Sequence, residues 1–203
     1  MTLIDLDHVA ESNINRQIQA TDETLGMAKV TAMARRITAI QPDCHVNEIE
    51  EFITPENVAS ILPDCDAVID AIDQDQAKAA LIATCVRRER MILATGGAGG
   101  RIDPTRVMVD DLARTVQDAL ASKVRATLRK HYGFTRDPKR KFGIECVYSP
   151  EQLRRPESDK CEATVLTGTS SAPQGLSCAG YGSSVAVTAT FGMTAAARVI
   201  GQL

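Results

Sequence analysis

No C-x-x-C pair occurs anywhere in these 203 residues; the six cysteines, Cys44, Cys65, Cys85, Cys146, Cys161 and Cys178, are scattered along the chain. That absence excludes paired zinc ligands and the dense disulfide framework of a small secreted domain, so a reducing, cytoplasmic compartment is expected. No cleavable signal pattern opens the sequence. Long apolar runs are missing too. The least polar stretch, residues 183–200, is rich in Ala, Thr and Gly and is closed by Arg198, so it reads as a buried helix and no membrane partner is expected. There is no internal repeat, no low-complexity segment and no G-x-G-x-x-G at a strand-to-helix turn. TGGAGG, residues 95–100, lacks the Lys-Ser or Lys-Thr of a P-loop and reads as a close-approach loop at the mouth of a site. His8, His45 and His131 stand too far apart for metal-ligand spacing.

What is present is an ordinary globular composition, 44% hydrophobic and 24% charged, long enough to bury a core as one domain. Periodicity predicts a strand at TLIDLD, an amphipathic helix over residues 26–40, a strand at HVNEI and a short helix over residues 55–62 with Thr54 as N-cap and Pro55 in its first turn. A strand at DAVIDAI, a helix over residues 76–88 and a strand at MILATGG follow. Strand and helix alternate throughout, which is the pattern of an α/β, mostly parallel sheet with helices on both faces. Beyond residue 100 the pattern loosens: RVMV is an expected strand, residues 118–131 a helix, GIECVY a strand and residues 183–203 the closing helix.

Charge is unevenly placed. Residues 123–160 carry eleven Lys or Arg against five Asp or Glu, a local charge of +6, and the remainder of the chain carries -9 within a net -3. Such a segment is either a polyanion contact or a solvated face. In an open α/β sheet, ligands bind beyond the carboxyl ends of the strands, where Asp5, Asp7, Asp70, Asp73 and the residue 95–100 loop all fall. Asp5 ends a strand as a ribose-binding carboxylate does, or as a cap or turn carboxylate does, and Lys29, taken singly a surface base, opens a helix whose N-terminus favours phosphate. Arg16 adds a second positive charge thirteen residues earlier.

The string D-x-D-x-V-x-x-S-N-x-x-R-Q (Asp5, Asp7, Val9, Ser12, Asn13, Arg16, Gln17), then G-x-x-K at residues 26–29 and D-x-x-D at residues 70–73, resembles the ThiF/MoeB/HesA adenylating family related to ubiquitin-activating enzymes. The resemblance implies a Rossmann-like fold and ATP with Mg2+ as cofactors. It implies that Asp5 holds the ribose, that Arg16 and Lys29 hold phosphates and act in catalysis, that Asn13 lines the phosphate region and that Asp73 is catalytic through Mg2+. VIDAIDQDQAKAALIATC, ATGGAGGRIDPTRV and FGIECVYSPE are similar to the tRNA threonylcarbamoyladenosine dehydratases within that family, which cyclise their substrate through an acyl adenylate. By that resemblance residues 1–109 form a partial ATP-binding region and residues 110–203 a substrate and tRNA region of the same domain. tRNA and a homodimeric partner are implied, with a sulfur-transfer protein as a further candidate. Activation of a ubiquitin-like sulfur carrier is the rival activity, disfavoured by the missing zinc cysteines; a catalytically silent fragment binding tRNA or a family partner is another. Cys178, a position where some relatives carry an acyl-accepting thiol, has no nearby His and reads as structural. The resemblance also implies a strand, a G-x-G-G-x-G-S loop, a helix and an arginine ahead of Leu3. None is in this sequence, so the strand at Leu3 is expected to lack its inner neighbour.

Overall fold

A computed structural model describes residues 1–153 and 182–203. The alternating pattern is realised as β1 (Thr2–Ile4), α1 (Lys29–Ile40), β2 (Asn47–Ile49), α2 (Val58–Ile61), β3 (Ala67–Asp70), α3 (Asp75–Arg87) and β4 (Met91–Thr95). Then follow β5 (Met108–Asp111), α4 (Ala119–His131), β6 (Glu145–Tyr148) and α5 (Val185–Ile200). Every element expected from periodicity is found. α2 keeps only four of its expected residues: Thr54 does not cap it but closes the preceding turn, its Oγ1 accepting from the backbone N–H groups of Glu56 and Asn57.

The strands form two sheets, β1-β2 and β3-β4-β6-β5, parallel except for the β5-β6 pair. A single run of strands was the expectation. Among the described residues nothing pairs with the second edge of β1 or of β3, and Ile69 on β3 is 47% exposed. The four-stranded sheet draws its strands from both halves of the chain, on either side of residue 110.

Side-chain alternation decides the layers. Ile92 and Ala94 on β4, with Cys146 and Tyr148 on β6, face α3 and α4; Leu93 and Val147 face the opposite way, onto Val187, Phe191, Ala195 and Val199 of α5. Helices therefore cover both faces, as the period-two pattern of a twice-buried sheet requires. α5 is also tied to β6 by its polar edge, where Arg198 and Gln202 donate to the Glu145 carboxylate. Among the described residues no helix is long and apolar enough to cross a membrane.

Candidate functional site

Asp5 leaves β1 at its carboxyl end, where Asp5 Oδ1 accepts from the backbone N–H of Asp7 at 2.8 Å and turns the chain away from the sheet. Residues 7–9 then run antiparallel to residues 26–29: Val9 N–H donates to Met27 O, Gly26 N–H to Val9 O and Lys29 N–H to Asp7 O. Gly26 sits at φ +78°, a backbone conformation that glycine adopts without strain, and so permits this return. The result brings residues 22 apart together, with Lys29 Nζ 2.6 Å from Asp7 Oδ2.

Burial pushes the Asp5 carboxyl above its ordinary 3.8, the Asp7 N–H and Lys29 pull it down, and the charges of Asp7 and Asp73 push it up again. Asp73 belongs to the β3-α3 loop, so two strand ends converge on one set of opposed charges. Arg16 is oriented differently: its guanidinium donates to Ser12 O at 2.6 Å and to Asn15 Oδ1 at 3.0 Å within its own turn. Asn13 is buried, and its Oδ1 accepts from Ala10 N–H at 3.1 Å, so its carbonyl oxygen closes the turn that carries Arg16.

Beneath Asp73 the strand-end Asp70 is paired with a lysine that the sequence did not single out. Lys78 on α3 is 1% exposed, and its Nζ lies 3.0 Å from Asp70 Oδ1, 3.0 Å from Asp70 O and 3.1 Å from Ile72 O. Asp70 Oδ1 also accepts from Ile72 N–H at 3.0 Å. One ammonium thus fastens the backbone turn that presents Asp73. Its only sequence signal is spacing, a Lys eight residues after the aspartate that ends β3 and on the inward face of a helix.

A second buried pair shapes the glycine loop after β4. Asp118, the N-cap of α4, accepts from Ala121 N–H at 2.8 Å through Oδ1 and from Gly97 N–H at 3.0 Å through Oδ2. Arg101 lies 3.6 Å from the same carboxylate and donates to Gly97 O and Gln117 O. Gly96 has to be glycine here: a Cβ would stand 2.2 Å from Asp118 Oδ2 and 3.2 Å from Tyr148 Cβ. At Gly97 the nearest atoms would be at 3.9 and 4.0 Å. Gly96→Ala is therefore expected to cost about 1–3 kcal/mol by overpacking, while Gly97→Ala costs less than half as much. Denaturant titration of the two variants checks this, and equal losses would show that the Asp118 contact does not constrain the loop.

Among the described residues no group of three or more His, Cys, Asp or Glu could hold a metal ion on protein ligands alone. Asp5 and Asp73 are near enough to repel. One or two carboxylates completed by phosphate oxygens are the donor set Mg2+ commonly takes, so the residues fit a Mg2+ that arrives with a nucleotide. Cys178 lies outside the described residues.

Parallel strands covered by helices on both faces, with carboxylates and a lysine gathered beyond their carboxyl ends, define an α/β protein of the doubly wound type. The chain matches the ThiF family over residues 1–202 and belongs to it. It is 44% identical over 205 residues to the tRNA threonylcarbamoyladenosine dehydratase of Escherichia coli K12, covering 100% of this chain and 76% of that protein. Identity to the Haemophilus influenzae enzyme of the same name is also 44%, with the same coverage. The crystal structure of the E. coli enzyme in complex with ATP superposes with a TM-score of 0.83 at 41% identity, over 99% of this chain and 74% of that one.

Proposed function

We propose that this chain is a tRNA threonylcarbamoyladenosine dehydratase, which spends ATP to cyclise threonylcarbamoyladenosine in tRNA. The observation that carries the reading is the meeting of Asp5, Asp7, Lys29 and Asp73 at two strand ends, in a chain whose 44% identical relatives bear that name. The ATP-bound E. coli structure, matched over 99% of this chain, supports the same nucleotide.

The threonyl carboxylate is a poor electrophile because its leaving group would be oxide. Its oxygen attacks the α-phosphorus of ATP, a P–O bond to pyrophosphate breaks, and the product is an acyl adenylate. A nucleophile within the modified nucleoside then attacks the acyl carbon and expels AMP, so the nucleoside has lost one water. Bond formation driven by ATP cleavage puts the enzyme with the ligases. Asp5 accepts hydrogen bonds from the ribose, and Lys29, held at the rim by Asp7, meets phosphate charge together with Arg16. Asn13 supports this region by closing the turn that carries Arg16. Asp73 would hold Mg2+, which would supply neutralisation of the charge on the departing pyrophosphate. Residues 1–109 furnish the nucleotide side and residues 110–203 the tRNA side of one domain. The protein works in the cytoplasm as a homodimer, and a sulfur-transfer protein is a candidate associate.

The test is mass analysis of tRNA nucleosides from a strain lacking the gene. The expected result is threonylcarbamoyladenosine accumulating in place of its cyclic form, one water lighter. An unchanged nucleoside profile would remove this assignment.

A further inference from the structure

α4 starts beside the glycine loop, where Asp118 holds Gly97, and runs thirteen residues to His131, about 20 Å away. The chain then returns to the amino end of β6 through residues 133–143, with Gly133 and Gly143 both at positive φ. β6 is parallel to β4, so this loop lies on the edge of the sheet opposite to the carboxyl ends that carry the nucleotide residues. The single basic segment seen in the sequence is thus spread along the depth of the protein.

The loop is internally tied. Asp111 accepts from Phe142 N–H at 2.9 Å and from Gly143 N–H at 2.7 Å, and Asp137 accepts from Lys139 N–H at 2.9 Å. Phe134 and Phe142 meet edge to face with centroids 5.0 Å apart, and the Arg129 guanidinium lies 5.3 Å from the Phe142 ring while its Nε donates to Thr135 O. Arg125 is likewise engaged, donating to Leu112 O and Thr115 Oγ1. By contrast Arg136, Lys139, Arg140 and Lys141 are exposed, and none makes an ion pair among the described residues. Arg140 and Lys141 border a concavity of about 430 Å³ walled by Phe134 and Phe142. Arg154, Arg155 and Lys160 lie outside the described residues.

We propose that the loop of residues 133–142 is a holding site for the sugar-phosphate backbone of RNA, gripping the body of the substrate tRNA on the sheet edge opposite to the strand ends of the adenylation site. This rests on the tRNA reading above. Four cations with no ion pair among the described residues, held on a tied loop beside aromatic walls, suit phosphate oxygens with bases against the rings, and they position an RNA without reading its sequence. Mobile surface cations paired with neighbouring acids would not retain such a charge surplus.

The experiment is a salt titration of binding to a full-length unmodified tRNA transcript by fluorescence anisotropy. It compares the unaltered chain, a variant with Arg136, Lys139, Arg140 and Lys141 all replaced by Ser, and Arg35→Ser/Arg36→Ser on the exposed face of α1 as a charge control. Circular dichroism verifies that each variant is folded. The loop variant is expected to bind more weakly at low salt, with the slope of log affinity against log salt reduced by about four. The α1 variant is expected to keep the slope of the unaltered chain to within about one contact. An unchanged slope in the loop variant overturns the proposal and leaves the tRNA reading standing. Equal losses in both variants also overturn it, since net charge then suffices. Absence of tRNA binding by the unaltered chain at low salt removes both. Binding of polyglutamate as tight as that of tRNA at the same salt would replace RNA by an acidic protein partner.

Discussion

Lys78→Met is expected to lower the free energy of unfolding at pH 7 by about 3–5 kcal/mol, because it leaves the Asp70 carboxylate buried without its partner. Asp70 is 1% exposed, its Oδ2 has no hydrogen-bond partner among the described residues, and the Lys78 ammonium is the opposite charge beside it. Burial holds the Asp70 carboxyl above 3.8 even in the intact protein, with Lys78 and the Ile72 N–H opposing it. Removing Lys78 raises it further. The folded state then binds a proton that the unfolded state has released, so stability falls as pH rises from 3.8 through the folded pKa. The deficit of Lys78→Met is accordingly largest near neutrality and shrinks as pH falls toward 3.8. Adding Asp70→Asn removes the buried charge while retaining an acceptor for Ile72 N–H, and should recover much of the loss. Urea titrations at several pH values measure all of this, and a deficit independent of pH would show that packing, not charge, makes Lys78 matter.

Asp73→Ala is expected to abolish ATP-pyrophosphate exchange, with a fall of at least about 100-fold, the scale on which losing one preorganised electrostatic contact slows a reaction. The measurement compares the exchange rate of Asp73→Ala with that of the unaltered protein at the same ATP concentration. Asp73 is exposed and Lys78 fixes the turn beneath it from below, so folding should be little changed. The two variants therefore separate: Lys78→Met loses stability first, Asp73→Ala loses chemistry at nearly constant stability. Exchange at the unaltered rate in Asp73→Ala would remove the metal-ligand role.

Much of the fold was legible because burial imposes a period. Residues 91–95 alternate between two helical layers, and the 3.6-residue repeat of α4, with Leu120, Val124 and Leu128, marks the face it buries. Element ends shifted by a few residues, as with the Thr54 turn, where a side chain satisfied the backbone before a helix began. The strand-end carboxylates were legible for the same reason: ligands collect at carboxyl ends, and order along the chain places Asp5 and Asp73 there. Lys78 and Asp118 escaped notice because a buried ion pair has no period. Nothing local distinguishes a lysine that points inward to cap two carbonyls from one that lies along the surface.

The sequence by itself determined the α/β class, the two-sided cover of the sheet and the family, since local periodicity and spaced motifs are properties of single segments. Tertiary structure alone decided which charges are used. It joined Lys29 to Asp7 across 22 residues, turned Arg129 onto Phe142 and left Arg140 and Lys141 on the rim of a concavity, with no ion pair among the described residues. It also separated β1-β2 from the four-stranded sheet and put the basic loop on the edge opposite Asp5 and Asp73. The physical reason is that a Coulomb or hydrogen-bond partner is selected by distance in space, which depends on strand register and loop geometry, while charge counted along the chain records only what is available to be paired.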